Sequence, residues 1–199
     1  MSNNSITQTL LLETARLRLR SFTPADLEAF AEYRNDEAVA RYQGWNTPYT
    51  LEQAQAFLQE MQQANIGTPG AWYQVAIERK SDGALLGDCA FKLSTDTRQA
   101  EIGCTLAKAY WGAGYAVEAV RCLLAYLFNE FGLHRVHANT DVENLAAART
   151  LEQLGMRREA HFVENLWFKG RWSSEYWYAM LSSEWALSQH KSERERVNG

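Results

Sequence analysis

A chain of 199 residues with 46% hydrophobic and 22% charged side chains has the composition of one ordinary globular domain, which excludes the collagenous, low-complexity and disordered classes. Its 24 acidic residues outnumber its 20 basic ones, so no cationic excess marks a nucleic-acid footprint, and a cationic or amine partner suits the balance better. Cys89, Cys104 and Cys122 are odd in number and lack CxxC spacing, which predicts reduced packing thiols in a cytoplasmic protein and no metal site.

Residues 1–9 are polar and uncharged, with neither the basic nor the apolar segment of a signal peptide, and are expected to be disordered. No run of about 18 apolar residues follows, so no membrane partner is expected. Arg16 to Arg20 alternates charged and apolar side chains at the strand period. Thr23, Pro24 and Asp26 carry the start signals of a helix to about Arg34. Thr50 and Gln53 repeat the capping-box spacing before Leu51, Ala54, Phe57, Leu58 and Met61, a second amphipathic helix that Gly67, Pro69 and Gly70 end. Residues 42–49 fit neither period.

Trp72 to Glu78 and Ala84 to Leu93 are β-rich runs around the turn dipeptide Asp82-Gly83, and Gln99 to Leu106 completes an antiparallel meander. Ala116 to Phe131 is the most regular helix, its stripe running through Val117, Val120, Leu124, Leu127, Phe128 and Phe131 to a C-terminal Gly132. A strand at Arg135 to Asp141, a helix at Asn144 to Leu154 and two strands turning at Lys169-Gly170 give the order βααβββαβαββ. One domain over 10–187 is expected, with 188–199 a disordered, frayed C-terminal tail that has almost nothing to bury.

The segment that carries chemistry is Tyr110-Trp111-Gly112-Ala113-Gly114-Tyr115-Ala116, between a strand and the most regular helix. Its glycines let backbone approach a ligand, and a helix start offers unpaired N–H groups to an anion; a plain strand-to-helix turn would use the same residues. The third glycine of a dinucleotide fingerprint and the Gly-Lys-Ser/Thr of a P-loop are both missing.

From Leu12 to Trp185 the chain resembles the GNAT superfamily of acetyl-coenzyme A dependent N-acetyltransferases, in particular its ribosomal-protein N-terminal acetyltransferase-like branch. Ala100-Glu101-Ile102-Gly103, Trp111 to Ala116, and Asn144 to Met156 carry the resemblance. The family motif Gln/Arg-x-x-Gly-x-Gly/Ala matches at Gly114 and Ala116 and departs at Trp111. The resemblance implies an α/β fold with a mixed, mostly antiparallel sheet, helices on both faces, and a V-shaped splay between parallel strands 99–106 and 135–141. Gly103 would mark a bulge there.

It further implies that acetyl-coenzyme A, the cosubstrate, binds Trp111, Gly112, Ala113, Gly114, Tyr115 and Ala116 through its diphosphate, Leu106 through pantetheine, and Asn144. Glu101 would take the proton of a primary amine. Each role has a simpler rival: Asn144 as a helix cap, Glu101 as a solvated carboxylate. The family's usual acids are absent, their positions being Leu151 and Ala147. Tyr110, Tyr115, Cys104 or water is left to protonate the thiolate, and His134, His137 and His161 receive no role. The branch points to a protein N-terminus as acceptor; a small amine such as an aminoglycoside or polyamine, or a coenzyme A binding module with vestigial catalysis, are the alternatives. A homodimer stays open.

Overall fold

The structure, a computed structural model, describes residues 9–197, with side chains through Gln189. The disordered start expected at 1–9 therefore falls, but for Thr9, outside the described residues. Strands β1 (Leu11–Glu13) and β2 (Leu17–Arg20) lead into helices α1 (Leu27–Asn35), α2 (Glu37–Ala40) and α3 (Leu51–Gln63). The meander is β3 (Trp72–Arg79), β4 (Leu85–Leu93) and β5 (Gln99–Leu106). Then come α4 (Tyr115–Asn129), β6 (Arg135–Asp141), α5 (Leu145–Gln153), the hairpin β7 (Arg157–Phe168) and β8 (Arg171–Leu181), and α6 (Ser182–Val197).

The start signals act as the sequence suggests. Thr23 N–H and hydroxyl both donate to the Asp26 carboxylate, at 2.7 and 3.0 Å, and Thr50 and Gln53 bond reciprocally at 3.2 and 2.8 Å. Three elements were not expected. β1 is too short to show a period, α2 is a single turn capped by Asp36, and α6 runs through the segment from Ser188 where a frayed tail is expected.

Among the described residues one sheet holds all eight strands in the order β1-β2-β3-β4-β5-β6-β8-β7, antiparallel except for β5 beside β6. Period-two alternation sends successive residues to two cores. Val75 and Ile77 join Leu123, Leu124 and Leu127 of α4 on one face, while Ala76 packs with Phe30 of α1 and Leu58 of α3 on the other. Helices thus cover both faces.

β5 and β6 are in register only at Gln99–Arg135, Ala100–Val136 and Glu101–His137, although both strands continue well beyond. The expected splay is therefore present. No bulge is found at Gly103: Ala90–Gly103 sits in an unbroken β4–β5 register, and the register shifts lie in β3–β4, between Ile77 and Glu78 opposite Gly87, and in β7–β8, between Arg158 and Ala160 and between Phe162 and Leu166. Gly87 has no alternative, because a Cβ there would sit 2.0 Å from the Thr105 carbonyl oxygen.

Candidate active site

Between β5 and α4 the chain makes one 3-10 turn and then the glycine loop. Gly112 and Gly114 have φ of 75° and 78°, the left-handed region. Gly114 is the N-cap of α4, and the first intrahelical bond runs from Glu118 N–H to its carbonyl, so the N–H groups of Tyr115, Ala116 and Val117 have no helical acceptor. A Cβ on Gly112 would meet nothing within 4 Å. The loop is thus open toward solvent and presents donors at the positive end of a helix, which fits a diphosphate.

Arg16 fastens this loop. Its Nη1 donates to the Ala113 carbonyl at 3.0 Å, its Nε to Glu118 at 2.6 Å, and its guanidinium lies 4.4 Å from the centre of the Tyr115 ring. Thr14 adds its hydroxyl to Glu118 at 2.5 Å. Burial alone would raise the Glu118 carboxyl, but the Thr14 and Arg16 bonds outweigh it and hold it below the usual carboxylate range. Sequence patterning reads Arg16 only as a strand residue, since its partner lies 102 positions away.

Trp111, the departure from the motif, donates its indole Nε1–H to the Leu106 carbonyl at 2.8 Å and so closes the end of β5. Strand parity says what the rest of β5 offers. Ala107 N–H bonds the Leu86 carbonyl, so odd residues pair with β4 and even ones point toward β6. Past Glu101 no β6 partner is in register, which leaves the Ile102 carbonyl, both polar groups of Cys104 and the Leu106 N–H along the gap. On β6, bonds from Ser182 to His134 and from Val142 to Ser174 commit even residues to β8, so Asn139 faces the gap with both groups. A slot with amide donors and acceptors on both walls fits pantetheine as an extra strand; Leu106 contributes its N–H alone.

Glu101 and His137, the last pair in register, mark the vertex on the face away from α4. Lys92 holds the Glu101 carboxylate in a partly exposed ion pair at 2.8 Å. His137 stacks on Trp177 with centroids 5.8 Å apart and planes 4° apart. Burial, then the Arg135 charge, lowers its pKa below that of free histidine, so the ring is neutral at neutral pH. No local signal distinguishes His137 from the other histidines; only the pairing of β5 with β6 does.

Asn144 caps α5, its Oδ1 accepting the Ala147 N–H at 3.2 Å. Among the described residues its Nδ2 has no hydrogen-bond acceptor, so capping and a ligand contact are compatible. Leu151 is buried, as a core residue, and Cys104, Tyr110 and Tyr115 are half-buried on the α4 side of the sheet. In the irregular segment 42–49, Trp45 and Tyr49 turn inward onto the Arg34 guanidinium, 4.1 and 5.2 Å from their ring centres, while Tyr42 lines a cavity beside β6 and Asn46 and Thr47 line a neighbouring one.

Residues 16–157 match the family model described as the acetyltransferase (GNAT) domain. The chain is 33% identical over 174 residues, 87% of its length and 98% of the relative's, to the uncharacterized N-acetyltransferase YnaD of Bacillus subtilis. It is 32% identical over 105 residues, 52% of this chain and 57% of the other, to the putative ribosomal N-acetyltransferase YdaF of the same organism. The spermidine N-acetyltransferase of Vibrio cholerae, solved with CoA and spermine, superposes with a TM-score of 0.75 at 22% identity, covering 87% of this chain and 99% of that one.

Proposed function

The chain belongs to the GNAT acetyltransferase family, and on that premise we propose that it moves the acetyl group of acetyl-coenzyme A onto the α-amine of a protein N-terminus, with Glu101 receiving the amine's proton. Acetyl transfer by an N-acetyltransferase is the family's reaction; the acceptor and the residue roles are our reading. The cosubstrate supplies an activated acyl carbon as a thioester.

The chain's own groups divide the remaining work. Donors of Gly114 to Val117 hold the diphosphate, the walls of the splay align pantetheine, and the Cys104 N–H polarises the thioester carbonyl. The amine nitrogen forms the new bond to the acyl carbon as the C–S bond breaks. The thiolate then takes a proton from Tyr110, Tyr115, Cys104 or water, in place of the acids that Leu151 and Ala147 do not supply.

The observation that carries the reading is Glu101 at the vertex, where the splay opens. Its carboxylate is paired with Lys92 at 2.8 Å, and in this reading it passes the amine's proton on to solvent. An α-amine with pKa near 7.7–8.0 is roughly one-tenth neutral at pH 7, whereas a lysine amine near 10.4 is almost wholly protonated, so an N-terminus asks less of such a base. The resemblance to the ribosomal N-acetyltransferase YdaF supports this acceptor, while a spermidine N(1)-acetyltransferase of Vibrio cholerae, 30% identical over 88 residues, supports the polyamine alternative.

Glu101→Gln is expected to lower kcat about 10²- to 10⁴-fold with coenzyme affinity nearly unchanged, and to regain rate as pH rises and more amine is already neutral. Wild-type kcat/KM in that variant from about pH 6 to 9 would remove Glu101 from the mechanism.

A further inference from the structure

Turning an ammonium into an amide removes two protons from one nitrogen. The first leaves so that a lone pair can attack the acyl carbon. The second leaves when the nitrogen, now bonded to that carbon, carries a positive charge. The departing thiolate takes one up from Tyr110, Tyr115, Cys104 or water, so each turnover releases a single net proton. Glu101 receives the first; the second calls for another base within reach of the same nitrogen.

His137 is a half-buried group in that place. It is the partner of Glu101 in the last pair of the β5–β6 register, so the two side chains leave the same face of the sheet from strands about 4.8 Å apart. Its ring lies flat on Trp177, 5.8 Å between centroids with planes 4° apart, and Phe162 packs edge-on against Trp177 at 5.7 Å. Stacking covers a face of the imidazole and not the edge that carries both nitrogens. The charged groups that act on the ring are Arg135 on its own strand, Lys92 on β4, Glu101 on β5 and Glu159 on β7, and among the described residues none is hydrogen-bonded to it. Burial first, and Arg135 next, lower its pKa, so the resting ring is neutral and free to accept a proton. The imidazolium that forms has two stabilising neighbours: the π face of Trp177, within cation–π range, and the Glu101 carboxylate.

We propose that His137 is a second catalytic base at the vertex. After the amine has attacked, the imidazole takes the proton from the nitrogen now bonded to the acyl carbon; the N–H electron pair stays on nitrogen as the C–S bond breaks, and the imidazolium gives its proton to solvent before the next turnover. The inference rests on the acetyl-transfer reading of the same site and supplies the acceptor for the proton that Glu101 does not take.

The test measures coenzyme A release from acetyl-coenzyme A in the parent enzyme and in His137→Ala, with a panel of short peptides of free N-terminus and with spermidine. In the variant kcat is expected to fall about 10²-fold at unchanged calorimetric coenzyme affinity, and free imidazole, which can rest on Trp177 in the vacated place, to restore much of the loss. A base works only in its neutral form, so kcat of the parent enzyme should fall with pH below the usual histidine value near 6.5, and that acid limb should be missing in His137→Ala. A readout independent of the acceptor is the NMR titration of the His137 ring. Glu101→Gln removes a charge that favours the imidazolium, so the ring's pKa should drop further. Parental kcat in His137→Ala, a loss that imidazole does not repair, or a ring titration indifferent to Glu101→Gln overturns the role of His137 while acetyl transfer stands. Release no faster than the enzyme's own hydrolysis of acetyl-coenzyme A with every amine overturns both.

Discussion

At Gly114 the constraint is conformational rather than spatial. Its φ is 78°, and a Cβ would come only to 3.6 Å of the Arg16 guanidinium, an ordinary contact. Gly114→Val therefore costs through a left-handed backbone that a β-branched residue resists, and the loop's donors leave their positions. Coenzyme affinity is expected to fall tenfold or more, about 1.4 kcal/mol, in a variant that still folds; unchanged affinity by calorimetry would clear the loop of a binding role. Asn144 divides its two roles between two atoms. Asn144→Asp keeps the oxygen that caps α5 and replaces Nδ2, so the melting temperature should hold while coenzyme affinity drops about tenfold. Retained affinity would reduce Asn144 to a cap. Both residues were visible in the sequence by type and position; His137 and Arg16 were not, because what makes them relevant is a strand pairing and a contact across the chain.

Helices and strands were legible where burial is periodic. The α4 stripe, the two capping boxes and the turn at Lys169-Gly170 each leave a local mark, and each element lies within a few residues of its expected place. β1, α2 and α6 leave none: three residues, one turn, and a polar helix whose described side chains bury Trp185 but expose Leu187. The joint between β2 and the start of α1 is electrostatic. Arg20 grips Asp26 with two bonds of 2.7 and 2.8 Å, the carboxylate nearly buried, and reaches Glu78 at 2.6 Å. Burial pushes the Asp26 carboxyl up, but Arg20 and the Thr23 amide together bring it below its usual value. A depressed folded-state pKa gives stability that is complete above the unfolded value near 3.9 and is lost as pH falls through the folded one. Asp26→Asn should thus cost about 2 kcal/mol at neutral pH and flatten the acid limb of stability below about pH 4. Urea unfolding at stepped pH would show it; wild-type and variant curves that stay parallel into acid would mean that the pair adds nothing to the joint.

For the whole molecule, the sheet's one parallel contact among the described residues is the one that stops while both of its strands continue. α4 lies between β5 and β6 in the chain, and the two strands meet over three residue pairs in the middle of eight strands. Sequence could suggest this break only through family resemblance, since β5 and β6 look like ordinary strands and nothing in either spells where pairing stops. The break also inverts the usual map of protection across a sheet, in which central strands hold their amide protons longest. The amides of Cys104, Leu106 and Asn139 should exchange with deuterium far sooner than those of β3 and β4 beside them, as if they belonged to an edge. Coenzyme A, by supplying the missing neighbour, should slow these three selectively, so a deuterium-exchange map with and without it reads the occupancy of the gap directly, before any acceptor is known.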